Sequence, residues 1–270
     1  MKLALAQLEI ERGNVSGNLQ RAVESIEDAG ADGADLVALP ELFTVGYFAF
    51  DAYQRTAEPV DGQTVSAIAD AAARNDVAVL AGTIVEDLEA TTVAVASPTP
   101  ASEGLANTAV LVDADGEIRL VYRKHHLFGY DSAEADRLVP GERIDTATIA
   151  GIEVGVTTCY DLRFPSLYRE LLDAGTELVL VPSAWPYPRI EHWQCLPQAR
   201  AIENLWYVAA VNGAATDEEP SLVGRSAVYD PWGTRVAAAG EGETILQTEV
   251  DSNRVAAVRE EFPALRDRRD

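Results

Sequence analysis

Ile152-Glu153-Val154-Gly155-Val156-Thr157-Thr158-Cys159-Tyr160-Asp161-Leu162-Arg163-Phe164-Pro165 is the stretch on which the fold turns. Its first seven residues read as an apolar strand. Pro165 suits the first position of a helix, where its fixed φ and missing N–H cost nothing. Cys159 therefore stands on a strand-to-helix elbow, a turn that presents a side chain at the strand end and leaves backbone N–H groups to receive an oxyanion. A free cysteine is otherwise most often a small core residue, and from this stretch alone both readings stand.

Outward from the elbow, strand-like runs recur at Leu3–Leu8, Leu36–Leu39, Val77–Val85, Thr91–Ala96, Ala109–Asp113, Ile118–Tyr122, Leu178–Pro182, Tyr207–Val211, Ser226–Tyr229 and Thr244–Val250. Apolar residues at three- and four-residue spacing predict helices over Asn18–Ala29, Thr64–Arg74, Pro165–Ala174 and Trp193–Leu205, with Gly30 and Gly175 as terminators. Asp113-Ala114-Asp115-Gly116 and Asp230-Pro231-Trp232-Gly233 are turn signals between adjacent strands, so the sheets are expected to be mixed. So many strands with so few long helices are satisfied by an α/β architecture of two sheets packed face to face, helices covering the outer faces. No repeat, low-complexity segment or linker divides residues 1–270, which are read as a single domain.

The 270 residues carry 44 acidic against 21 basic side chains, a formal charge of −23 that repels nucleic acid and anionic lipid. No run reaches the roughly 18 apolar residues that cross a bilayer, and the N-terminus shows no cleavage signature. The expectation is a cytoplasmic protein without nucleic-acid or membrane partners. The acidic residues are scattered singly. With lysine nearly absent, that surface fits a salt-rich cytosol, where screening relieves self-repulsion. Two cysteines and three histidines are too few for a disulfide scaffold or a zinc site, so no metal or other cofactor is expected. Cys195, on a helix without an elbow, reads as a buried apolar residue.

Only two lysines occur, Lys2 and Lys124, beside 19 arginines. Lys124 follows an apolar strand in Tyr122-Arg123-Lys124-His125-His126-Leu127-Phe128, where a compact, orientable ammonium does what a planar guanidinium cannot. A surface lysine that escaped replacement is the plain alternative. Glu41 ends the buried run Leu36-Val37-Ala38-Leu39-Pro40 beside Leu42 and Phe43. There, partial desolvation would raise its pKa toward a value useful to a general base, while a solvated turn residue is the competing reading.

Pro40-Glu41-Leu42-Phe43, Arg123-Lys124-His125-His126-Leu127-Phe128 and Cys159-Tyr160-Asp161-Leu162-Arg163-Phe164-Pro165 resemble, in order, the three catalytic blocks of the nitrilase superfamily of carbon–nitrogen hydrolases. The likeness continues through Pro182–Trp185, His192-Trp193, Ala199–Asn204 and Gly224–Gly233, nearly the whole chain. It implies a four-layer αββα sandwich with two mixed sheets, pairing as a homodimer or higher homo-oligomer. It assigns Glu41 as general base, Cys159 as the nucleophile that forms a thioester, and Lys124 as the cation at the tetrahedral intermediate. A second glutamate in the family precedes a Pro-Gly pair by six residues, which here is Glu134 before Pro140-Gly141.

The block around Cys159 is most similar to the branch cleaving amides of small carboxylic acids, such as ω-amides of dicarboxylates or deaminated glutathione. A carbamoyl-amide hydrolase is the runner-up, and nitrile hydrolysis ranks behind both. Around the substrate, a small-molecule amide, Tyr160 supplies the backbone N–H after the nucleophile, and Tyr47 and Trp185 are candidate walls. Arg163 either clamps a substrate carboxylate or pairs with Asp161 or another acidic neighbour. His126 is placed beside the pocket in a packing and hydrogen-bonding part, and His192 as a structural contact. A non-catalytic module that keeps the fold and a thiol redox protein are the readings from other classes; the second lacks a resolving cysteine close to Cys159.

Overall fold

The computed structural model describes residues 1–92, 97–130, 132–216 and 219–269. In chain order its strands and helices are β1 (Lys2–Gln7), α1 (Val15–Ala31), β2 (Leu36–Ala38), α2 (Tyr53–Thr56), α3 (Gln63–Asn75), β3 (Ala78–Leu80), β4 (Ile84–Asp87), β5 (Leu105–Val112), β6 (Ile118–Arg123), α4 (Glu134–Arg137), β7 (Thr146–Ile149), β8 (Ile152–Val156), α5 (Pro165–Asp173), β9 (Leu178–Ser183), α6 (Ile190–Asn204), β10 (Tyr207–Asn212), β11 (Ala227–Tyr229), β12 (Arg235–Ala238), β13 (Thr244–Glu249) and α7 (Ser252–Glu261). One sheet runs β13-β1-β2-β3-β5-β4, with β6 also on β5; the other runs β12-β11-β10-β9-β8-β7. Both are mixed: β1, β2 and β3 are mutually parallel, as are β8, β9 and β10, and their flanking strands are antiparallel.

Strand alternation makes the layers. In β2, Leu36 and Ala38 join the core between the two sheets, whereas Val37 packs outward with Ala22 and Ile26 of α1 and Ile68 of α3. Leu167 and Leu171 of α5 and Trp193 and Ala201 of α6 pack with the second sheet. The result is the expected αββα sandwich.

Several local expectations change. The run Val77–Val85 is two strands, broken around Gly82, whose φ is +41° and where a Cβ would lie 2.0 Å from the Pro40 carbonyl oxygen. The break turns Thr83 toward the segment after Pro40, where its Oγ1 accepts the Leu42 N–H at 2.8 Å. Helix α1 runs past Gly30 to Ala31, while Gly175, at φ +92°, follows α5 as anticipated. The expected strand Thr91–Ala96 falls, from 93 on, outside the described residues. Strand β7 and helix α7 carry too few apolar residues to declare themselves in the sequence.

Cys195 is exposed, against the expectation of burial. The buried face of α6 is made by Trp193, Pro197, Arg200, Ala201 and Asn204. Cys195 follows Trp193 by two residues, about 200° round the helix, and two polar residues on the inner face hid that phase. No described helix is long and apolar enough to cross a membrane.

Candidate active site

Three strand ends on one edge of the first sheet meet two from the second. Glu41 follows β2, Lys124 follows β6, and Asn107 sits near the start of β5, whose Thr108 is in register with Arg123. From the other side come the elbow after β8 and Ala184 after β9. Buried anchors hold these ends. Arg123, immediately before Lys124, is clamped by Glu86 through two 2.7 Å hydrogen bonds. Lys124 donates its N–H to the Asn107 carbonyl and accepts from the Gly141 N–H, each at 2.9 Å. A Cβ at Gly141 would stand 2.0 Å from the Arg123 carbonyl oxygen, so the Pro140-Gly141 pair has to be glycine where it lies along this segment.

Lys124 is 1% exposed, while Glu41 and Glu134 are fully buried. Its Nζ donates to Glu41 Oε1 at 2.8 Å and to Glu134 Oε1 and Oε2 at 2.8 and 3.0 Å. Glu41 Oε2 accepts the Ala184 N–H at 2.8 Å, and the Cys159 thiol lies beside the same carboxylate. Glu134 Oε2 is held further by the Tyr47 hydroxyl at 3.0 Å and the Phe128 N–H at 2.8 Å. Thus all four expected catalytic side chains form one cluster. Burial pushes the Glu41 carboxyl above the usual carboxylate range, opposed chiefly by the Lys124 cation. Burial and the neighbouring Glu41 push the Cys159 thiol well up, and the two carboxylates hold the Lys124 ammonium protonated against its own desolvation.

The elbow is a single 3₁₀ turn, Cys159–Arg163, with Cys159 at φ +46°, a conformation non-glycine residues adopt at a cost of about 1–3 kcal/mol. Asp161 braces it. Its buried carboxylate accepts from the Thr158 N–H (2.9 Å), the Tyr122 hydroxyl (2.7 Å) and the His126 N–H (3.0 Å), and His126 Nδ1 lies 2.8 Å away. The nucleophile turn is thereby tied to the lysine-bearing strand of the opposite sheet. Arg200, from the Ala199–Asn204 block, donates to the Leu162 carbonyl at 3.1 Å.

Cys159 and Lys124 open onto a cavity of about 280 Å³ that Tyr47, Tyr160, Arg163 and Trp185 also line. The guanidinium of Arg163 rests 5.1 Å from the Trp185 ring centroid and 5.8 Å from that of Tyr160. It hydrogen-bonds to His192 Nδ1 at 3.1 Å. Asp161 is already occupied, so the pairing of Arg163 with Asp161 is not formed; among the described residues no carboxylate pairs with Arg163. His126, expected beside the pocket, does not itself line the cavity. Asp161 and the ring of Phe164, stacked 3.6 Å away, hold it in the wall behind the elbow. Among the described residues no three His, Cys, Asp or Glu side chains are grouped to hold a metal ion.

Two residues of this site escaped the sequence reading. Asn107 donates through Nδ2 to Glu41 Oε1 (2.8 Å) and Glu134 Oε1 (3.1 Å), and the polar pair Asn107-Thr108 within the apolar run Leu105–Val112 was its signal. Asn212 fastens Trp185, accepting its N–H at 2.8 Å and donating to its carbonyl at 3.2 Å; it too is a polar residue ending an apolar strand.

Known proteins resemble this chain along nearly its whole length. Residues 2–260 match the family model described as carbon-nitrogen hydrolase. The chain is 34% identical to a 2-oxoglutaramate amidase of Paenarthrobacter nicotinovorans over 93% of its own length and 84% of the relative's. It is 31% identical to the omega-amidase NIT2 of Mus musculus, covering 99% and 95% of the two chains. A CN-hydrolase superfamily protein from Xanthomonas campestris, solved with an arsenic adduct in its active site, superposes with a TM-score of 0.88 at 31% identity, covering 100% of this chain and 97% of that one.

Proposed function

This chain belongs to the carbon–nitrogen hydrolase family, and on that premise we propose that it is a thiol-dependent amidase that releases ammonia from a small amide bearing a carboxylate. One observation carries the reading: the buried Cys159–Glu41–Lys124 cluster faces a cavity whose wall holds Arg163, a guanidinium with no carboxylate partner among the described residues. In a chain with twice as many acids as bases, such a cation is available to a substrate anion. Relatives named 2-oxoglutaramate amidase and omega-amidase suit it, since an ω-amide of a dicarboxylic acid carries its amide and a carboxylate at opposite ends.

The chemistry follows from the groups present. A thiol pushed up by burial stays protonated until it reacts, and Glu41, beside it, accepts the proton as sulfur attacks the amide carbonyl. The C=O π pair moves onto oxygen, where Lys124 Nζ and the Tyr160 N–H receive it. Collapse of the adduct breaks the C–N bond. Ammonia departs with the proton returned by Glu41, leaving a thioester on Cys159. The same carboxylate then deprotonates water, whose attack releases the acid and restores the thiol. Glu134 anchors Lys124, while Tyr47 and Trp185 wall the acyl group.

The reading extends to a cytoplasmic homodimer in a salt-rich medium. Trp232, Phe262 and Ile202 are exposed large hydrophobics, with Trp232 and Phe262 5.8 Å apart, which supports pairing through that face. Light scattering of the purified protein measures it.

The test of function is ammonia release in high and low potassium chloride from α-ketoglutaramate, succinamate, deaminated glutathione, an N-carbamoyl amino acid and a simple nitrile, beside Cys159→Ala. Turnover of a carboxylate-bearing amide that vanishes in the variant is expected. Turnover confined to the carbamoyl compound or the nitrile, or release that survives in Cys159→Ala, overturns the reading.

A further inference from the structure

Glu41 and Glu134 are two buried carboxylates sharing one lysine, and their Oε1 atoms each receive a second hydrogen bond from the same donor. That donor is Asn107, fully buried on β5, whose Nδ2 lies 2.8 Å from Glu41 Oε1 and 3.1 Å from Glu134 Oε1. Lys124 Nζ is 2.8 Å from those same two atoms. The four groups therefore close a ring in which cation and carboxamide alternate with the carboxylates. A primary amide nitrogen carries two hydrogens, so Asn107 supplies one to each carboxylate and adds no charge. Its oxygen has no hydrogen-bond partner among the described residues. An unpartnered buried acceptor disfavours folding, so what the carboxamide contributes here is its pair of donors.

We propose that Asn107 is a positioning residue of the amidase centre, a neutral double donor that holds Glu41 and Glu134 on opposite sides of Lys124 and keeps Glu41 ionised and aimed at the Cys159 thiol. The proposal rests on the reading of Glu41 as general base. It is distinct from a packing role, because hydrogen bonds to a charged carboxylate favour that form over the neutral acid. The titratable groups facing Glu41 are Lys124 at the end of β6, Glu134 on α4 and Cys159 on the elbow, with the Tyr47 hydroxyl on the far side of Glu134. Loss of the amide donor removes one of the groups that oppose burial and Glu134 at Glu41, leaving the Lys124 cation and the Ala184 N–H.

The test is Asn107→Leu, which keeps the branching of the side chain while removing the donor and the unpartnered oxygen. Expected is a kcat lowered about tenfold or more with KM within about twofold. The acid limbs of kcat/KM and of Cys159 alkylation by iodoacetamide should both move up by about one pH unit, the worth of one charge-assisted hydrogen bond. Alkylation needs no substrate, so it reports on Asn107 even where the panel of amides yields no ammonia and the amidase reading itself falls. Should the leucine variant not fold, Asn107→Ser, too short to bridge both carboxylates, is expected to show the same displacement. A folded variant whose two acid limbs coincide with those of the unmodified protein overturns the proposal, whatever its rate.

Discussion

Replacing Lys124 by methionine keeps the length of the side chain and removes the cation from between two buried carboxylates. Each Oε1 lies 2.8 Å from Nζ, so the two oxygens are at most about 5.6 Å apart (2.8 + 2.8). At an effective dielectric constant of about 20, two unit charges at that distance repel by about 3 kcal/mol. Removing one partner of a buried ion pair typically costs about 3–5 kcal/mol, and the two figures agree. For a protein of this size the loss lowers Tm by roughly 10 °C. Its pH dependence separates this cause from lost packing. In the variant burial and Glu134, which raise the Glu41 carboxyl, are no longer opposed by the Lys124 cation, so it moves further above the unfolded value of about 4.3. A group whose folded pKa is raised contributes stability at low pH that is lost as pH rises through the folded value. The variant should therefore approach the unmodified protein near pH 5 and fall furthest behind near pH 8. Denaturant unfolding of both proteins at the two pH values, at one fixed salt concentration, measures this. Lys124→Met combined with Glu134→Gln should recover much of the stability at pH 8 and none of the activity, which is expected to drop about a hundred- to a thousandfold with the oxyanion cation gone. A deficit equal at pH 5 and pH 8, or larger at pH 5, refutes the reasoning.

Arg163→Ala is expected to raise KM about ten- to a hundredfold for an amide that carries a carboxylate, the worth of a charge-assisted clamp, and to leave a neutral amide such as acetamide unaffected; equal losses on both would remove Arg163 from recognition. Asp161→Asn sets an NH₂ against donors that now all meet a carboxylate. It should cost about 1–3 kcal/mol in unfolding free energy and slow Cys159 alkylation, and full alkylation at unchanged stability would show that the elbow stands without it. With a formal charge of −23, the protein should lose compactness, read by scattering, as potassium chloride falls from about 1 M to about 0.1 M and the screening length grows from about 3 to 10 Å. Unchanged scattering and activity at the lower salt would show that the acidic surface needs no salt.

What the sequence determined by itself is what depends on local pattern: alternating and continuous apolar runs, helix periodicity, the turn residues, and an elbow whose strand, cysteine and proline are contiguous. From these came the layered α/β architecture and, with the ordered motif blocks, Glu41, Lys124, Glu134 and Cys159. Tertiary structure decided everything that depends on which strand ends meet. Asn107 is 66 residues from Glu41 and 27 from Glu134, and no local pattern says that one carboxamide will bridge both. Asp161 was quoted as part of a motif, yet its four donors come from the elbow, from β6 of the other sheet and from the segment that follows β6. Arg163 had two partners open to it until Tyr122, Thr158 and His126 filled Asp161 and left the guanidinium on Trp185. Cys195 went the other way, because polar Arg200 and Asn204 occupy the inner face of α6 and shift its buried stripe away from the apolar one. Periodicity reports hydrophobic burial; it is silent where buried polar groups satisfy one another, and in this protein those groups build the site.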